Sequence, residues 1–229
     1  MIAALVSDPD WRSGIESVRK AGAGLICLPL LSFTPYVAAS LDRAGYEQAE
    51  RPPSPTWREA LEMAGGAWLS ASLYESEGEG VFYFSGRLGR KNGDEILWRQ
   101  RRLDAFPGRY EPMFAAPGHE PMRVAQVDGL GATILMLGAD LRSPEIWAEA
   151  ASLGVDTVIG AAAEPSDLWQ QTEHTVVGMA TAHGLTTLVV NRDSREASPD
   201  WTGGVIARDS TGSEIAETGQ GLFEVGVGS

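Results

Sequence analysis

Cys27 is the only thiol in the 229-residue chain, so it is the only possible sulfur nucleophile. Thiol chemistry on an acyl carbon needs a base to ionise the sulfur and a donor or cation to meet the developing oxyanion. Cys27 lies in the apolar run 25–28 (LICL), with no acid, lysine or histidine beside it. That setting predicts a small buried hydrophobe. Glu111 and Asp140 remain as acids that could act on a bound water. For Asp140 we expect a structural role, capping the helix that starts near Pro144 or pairing with Arg142. His119, His174 and His183 have no metal-ligand spacing, so no metal site is expected. Arg99, Arg101 and Arg102 could suggest an anion site, but strand alternation sets Arg102 apart from the other two. Glu75, Glu77 and Glu79 read as a solvated loop face. There is no G-x-S-x-G elbow and no glycine-rich phosphate loop after a strand.

The elements that would position these groups follow from hydrophobic period and caps. Residues 2–6 read as a strand, and 10–21 as a helix with Ile15 and Val18 on one face and Asp10 as N-cap. Residues 25–28 fit a strand buried on both faces. Four prolines make 32–55 a long loop, and Pro55, Thr56 and Glu59 open a helix ending at Gly65-Gly66. Strands are predicted over 68–74, 81–86 and 96–101, with a hairpin turn at Lys91-Asn92-Gly93-Asp94. After a second long loop, 104–120, strands at 122–127 and 132–137 precede a helix over 144–153. A strand at 155–160, a helix over 166–183 stopped by Gly184, and a strand at 185–191 follow. Three more strands fit 203–208, 213–218 and 222–227. This order predicts one mixed α/β domain spanning 1–229 around one continuous core.

Several ordered local patterns share one family resemblance. The buried run 25–28 leads into Leu28-Pro29-Leu30 and then Phe33-Thr34-Pro35-Tyr36. A mid-chain strand carries Trp98-Arg99-Gln100-Arg101-Arg102-Leu103. The most specific stretch is Leu137-Gly138-Ala139-Asp140-Leu141-Arg142-Ser143-Pro144-Glu145, after an apolar strand. Ala161-Ala162, Trp169 and Val189-Val190-Asn191-Arg192 fit downstream, and Glu111 with Phe114 and Gly118 resembles the family's additional active-site glutamate. Taken in this order, these patterns resemble the nitrilase superfamily of carbon–nitrogen hydrolases, and the resemblance implies an αββα sandwich, two stacked mixed β-sheets flanked by helices. It also implies a homodimer paired through the helices near 144–153 and 166–183.

In that family a cysteine attacks an amide or nitrile carbon, a glutamate is general base and a lysine stabilises the oxyanion. Carried over residue by residue, these positions are Gly138, Leu30 and Gln100, none of which can do that work. General-base assistance alone is typically worth roughly 10²–10⁴ in rate, and loss of the nucleophile removes the covalent route. In a strand, Cys27 lies at an odd offset from Leu30 and should face away from it. The expectation is a non-catalytic pseudoenzyme that binds a small molecule in the former pocket, through Glu111, Ala139, Asp140 and Arg142, or acts as a partner subunit. The loss of both charges further suggests a dry, apolar site. The alternative is an amidase- or nitrilase-type hydrolase with a divergent active site.

Composition sets the outer limits. Hydrophobic residues at 43% and charged residues at 21% suit a globular chain. The net charge of −13, from 31 acids against 18 bases, disfavours nucleic acid as a partner. No intramolecular disulfide, signal peptide or bilayer-spanning run is legible. With no cofactor motif, the expectation is a cytoplasmic protein without a cofactor.

Overall fold

The computed structural model describes residues 1–6, 10–91, 93, 95–194, 201–219 and 221–226. The first half runs β1 (Ile2–Leu5), α1 (Trp11–Lys20), β2 (Leu25–Cys27), α2 (Pro55–Ala64), β3 (Trp68–Gly78), β4 (Val81–Gly89) and β5 (Glu95–Arg99). A small hairpin, β6 (Ala105–Phe106) and β7 (Arg109–Tyr110), leads into the single turn α3 (Glu111–Phe114). The second half comprises β8 (Ala125–Val127), β9 (Gly131–Leu137), α4 (Pro144–Ser152), β10 (Thr157–Ala162), α5 (Ser166–His183) and β11 (Thr186–Asn191). The end of the chain adds β12 (Asp193–Ser194), β13 (Trp201–Thr202), β14 (Val205–Arg208), β15 (Glu217–Gly219) and β16 (Leu222–Glu224).

Two mixed sheets stack face to face. One has seven strands in the order β15-β16-β1-β2-β3-β4-β5, the other five in the order β14-β11-β10-β9-β8. The parallel strands form the middle of each sheet: β1, β2 and β3 in the first, and β9, β10 and β11 in the second. β10 and β11 are buried along their whole length, as expected for parallel strands covered on both faces. The sheets meet where β4 crosses β9, and α1 with α2 covers the outer face of the larger sheet while α4 with α5 flanks the smaller. The molecule is therefore an α/β sandwich of two mixed sheets flanked by helices.

Local sequence explains the helix limits. Asp10 caps α1, accepting from Ser13 N at 3.4 Å, and Ser54 caps α2 through Trp57 N at 3.0 Å, with Pro55 at its first position. Gly184, at φ 68°, stops α5. The α1 face carrying Trp11, Ile15 and Val18 packs with Trp57 and Ala60 of α2. Full burial of a residue such as Ile15 is worth about 1.5–3 kcal/mol.

Some expectations need correction. The apolar interior is two clusters, one under α1 and α2 and a larger one between the sheets and beneath α4 and α5, because the seven-stranded sheet buries both faces. Segment 32–55 holds two 3-10 turns, Val37–Ala39 and Arg43–Gln48, and 104–120 holds β6, β7 and α3. Glu75 and Glu77 belong to β3; Glu75 is 1% exposed and pairs with Arg87, and Glu77 pairs with Arg99. Their run is thus the end of a long strand. Asn92 and Asp94 of the expected hairpin turn, and residue 227 of the last expected strand, lie outside the described residues.

Candidate functional site

Two strand ends and one loop build the site. β5 stops at Arg99, and the next residue, Gln100, keeps strand-like bonds, its N donating to Phe84 O at 2.9 Å and its carbonyl accepting from Gly118 N at 2.8 Å. β9 stops at Leu137, and the chain turns through a 3-10 segment, Gly138–Arg142, into α4. Gly138 begins this elbow at φ 48°, in the left-handed region. A β-carbon at Gly138 would lie 2.9 Å from Gln100 Nε2 and 3.0 Å from its Oε1. Two of the three positions assigned by resemblance are therefore in contact.

Gln100 is 1% exposed. Its Nε2 donates to Arg102 O at 2.6 Å and to Glu111 Oε2 at 2.8 Å. Its Oε1 is buried with no hydrogen-bond partner among the described residues. Leu30, the third position, is fully buried in the cluster between the sheets; its N donates to Ala162 O at 3.2 Å and its O accepts from Arg192 Nη1 at 3.3 Å.

Glu111 opens α3 with no exposure and accepts from four donors. These are the Tyr36 hydroxyl, Gln100 Nε2, Asp104 N at 2.8 Å and Arg109 Nη2 at 3.0 Å. Burial pushes its carboxyl above the usual range, against the nearby Arg109 cation. Arg109, 1% exposed on β7, also meets Asp104 Oδ2 at 3.0 Å and Glu164 Oε2 at 2.9 Å, and donates to Ala163 O. Arg142 holds Asp104 with both of its carboxylate oxygens at 2.7 Å and pairs with Glu164. Asn191 fixes Glu164 by accepting from its N at 2.7 Å and donating to its O at 2.9 Å.

This network overturns the picture of an apolar site. The charge lost at Leu30 and Gln100 is not matched by apolar repacking around Glu111, because Arg109 and Arg142 pair there with three acids, Asp104, Glu111 and Glu164. Asp140 likewise neither caps α4 nor pairs with Arg142. Its carboxylate accepts from Trp98 Nε1 at 2.8 Å, Arg101 N at 3.1 Å and Arg102 N at 2.8 Å, tying the elbow to the segment after β5. Burial raises it to about 7. Ala139, beside it, is buried.

Cys27 does not face away from Leu30; both belong to the cluster between the sheets. The alternation argument fails because β2 ends at Cys27, so Leu30 lies beyond the strand. The thiol is fully buried, which pushes its ionisation far up. The three arginines after β5 form no anion patch: Arg99 pairs with Glu77 and Glu120, Arg101 with Glu149 and Arg102 with Glu145. Sequence reasoning missed Tyr36, Asp104, Arg109 and Glu164. Nothing local in Gly108-Arg109-Tyr110 separates a buried arginine from a surface one. Glu164, an acid at the end of the apolar run Ala161-Ala162-Ala163 that closes β10, was the one legible signal.

A sandwich of two mixed sheets, with an elbow after β9 facing the end of β5 and a buried glutamate between them, defines the class of protein. The family model described as carbon–nitrogen hydrolase matches residues 9–186, and the chain belongs to that family. Among solved structures it is similar to a carbon–nitrogen hydrolase from Helicobacter pylori G27, with TM-score 0.79 and 19% identity over 96% of this chain and 85% of that one. It is similar to an amidase from Nesterenkonia sp., with TM-score 0.76 and 21% identity over 99% and 90% of the two chains. A glutamine-dependent NAD+ synthetase from Acinetobacter baumannii gives TM-score 0.77 and 17% identity over 98% of this chain and 44% of that one. One structure of the Nesterenkonia amidase has acrylamide added at its active-site cysteine. No curated protein matches this sequence.

Proposed function

We propose that this chain is a single-domain, non-catalytic member of the carbon–nitrogen hydrolase family that binds a small molecule beside the elbow at Gly138. The observation that carries this reading is the position of the Gln100 amide, within 2.9 Å of where a β-carbon at position 138 would stand. A nucleophile on that carbon would have to displace a side chain held by two hydrogen bonds. The family's general-base and cation positions fall at Leu30 and Gln100, and the only thiol is buried in β2. Glu111 and Asp140 are poorly suited to activate water, because each already accepts from several donors. The unpartnered Gln100 Oε1 favours a ligand that brings an N–H or O–H donor. In this reading the protein is cytoplasmic and pairs with a second copy through α4 and α5, which sedimentation at high protein concentration would test.

The assay for catalysis uses the unmodified protein with short amides, ureas, N-carbamoyl compounds and nitriles. The expected result is no turnover with any of them. Turnover that persists through repurification would overturn the reading.

A further inference from the structure

We propose that the groove on the outer side of α3 is a binding site for a small amphipathic carboxylate, with Arg43 holding the anion. The groove has two lobes, of about 380 and 390 Å³, that share Tyr46, Met113 and Phe114 as a common wall. Each volume lies in the usual range for small-molecule sites, roughly 300–1,000 Å³. The walls are apolar and unusually open to water: Leu41 is 60% exposed, Met113 61% and Val81 38%. These residues account for half of the large exposed hydrophobics among the described residues. Apolar surface concentrated in this way marks a contact surface.

The groove is already formed. Tyr46 packs its ring at 5.0 Å from Phe82 and 5.2 Å from Phe114, and its hydroxyl donates to Met113 O. Gly45 lets the turn lie against Phe114, where a β-carbon would come within 3.0 Å of the ring. Little ordering therefore remains for a ligand to impose.

Charge selects the occupant. Arg43 is the only charged residue lining either lobe, and it has no ion-pair partner among the described residues. Its neighbour Asp42 is occupied in capping the turn, accepting from Ala44 N at 3.0 Å. The net charge of −13 repels anions at long range, but salt screens that field beyond about 8–10 Å, leaving a local guanidinium to decide the contact. An alkyl or aryl carboxylate matches both halves of the groove. The site requires nothing of Leu30, Gln100 or Gly138, so it stands apart from the non-catalytic reading.

The test is calorimetric titration of the full chain with octanoate, and with octanol and octylamine as neutral and cationic controls. Octanoate is expected to bind saturably at one site per chain, with octylamine at least about tenfold weaker. Arg43→Glu should weaken octanoate by about tenfold and leave octanol unchanged, and Met113→Asp should abolish both. Met113 and Arg43 are surface residues, so circular dichroism should show both variants folded. Equal binding of octanoate and octylamine, indifference to Arg43→Glu, or absence of saturable binding would each overturn the proposal. So would protection of the groove by a second copy of the chain, detected by cross-linking at Met113→Cys.

Discussion

Gln100 and Gly138 are complementary: the amide of the first occupies the room that a side chain on the second would need. The amide cannot swing aside freely, since Nε2 is fixed by Arg102 O at 2.6 Å and Glu111 Oε2 at 2.8 Å. Gly138 in turn sits at φ 48°, where an added β-carbon is disfavoured even without a neighbour. The elbow is thus built for glycine twice over, once by backbone and once by packing.

The first prediction concerns that pair. Gly138→Ala and Gly138→Cys should each destabilise the fold by about 1–3 kcal/mol, as overpacking does. Gly138→Cys should also show no hydrolysis, because neither Leu30 nor Gln100 supplies a base or a cation. Combining Gly138→Ala with Gln100→Ala should cost less than the sum of the two single changes, since removal of the amide frees the space. Urea denaturation of the four proteins measures the coupling. Strict additivity would show that the two side chains do not compete.

A second prediction concerns Cys27. Burial holds its thiol in the neutral form, so a thiolate-directed reagent should react with native protein no faster than the fold opens. Labelling should be complete in denaturant. Rapid stoichiometric labelling of native protein would mean an accessible, activated thiol, and would return catalysis to consideration.

These sites show what the sequence carried. Helix α5 was legible to the residue because Gly184 ends it, and β10 and β11 could be located from their short Val, Ile and Leu runs, β10 with its bounds two residues early. Gln100 and Gly138 could be found because they fall inside ordered local patterns at strand ends. Asp140 could be located but not interpreted: its partners Trp98, Arg101 and Arg102 lie about forty residues away, and capping was the only local role to assign. Arg109 was harder to find: Asp104 and Glu111 lie close to it in a loop-like segment that reads as surface, and Glu164, which helps bury the cation, is 55 residues further on.

The third prediction is a pH dependence from Asp140. Burial lifts its carboxyl from the ordinary 3.8 to about 7, so between those values the native state binds a proton that the unfolded chain releases. The stability that Asp140 contributes is therefore fully present below the lower value and is lost as pH rises through the upper one. Glu111 and Glu164 are raised as well, by burial, and act with the same sign. Asp140→Asn should flatten the wild-type decline over this window without reversing it. Denaturant midpoints across the range provide the check, and identical slopes in the two proteins would show that Asp140 does not titrate there.

The last prediction addresses Arg109. Its guanidinium meets three carboxylates, from Asp104, Glu111 and Glu164, while its own exposure is 1%. Removing one partner of a buried ion pair leaves the other uncompensated, at a cost of about 3–5 kcal/mol. Arg109→Met keeps much of the apolar volume and deletes the charge, so the loss should fall in that range at neutral pH. Arg142 still reaches Asp104 and Glu164 but makes no ion pair with Glu111, so Glu111 bears most of the change. Its remaining escape is to take up a proton. The deficit of Arg109→Met relative to wild type should therefore shrink in mildly acidic buffer and grow in mildly alkaline buffer. Arg109→Lys should recover only part of the loss, because an ammonium cannot span three acids and Ala163 O as the planar guanidinium does. Chemical denaturation of the three proteins at both acidities decides the matter. A deficit independent of pH would mean that Arg109 supports the fold by packing rather than by charge.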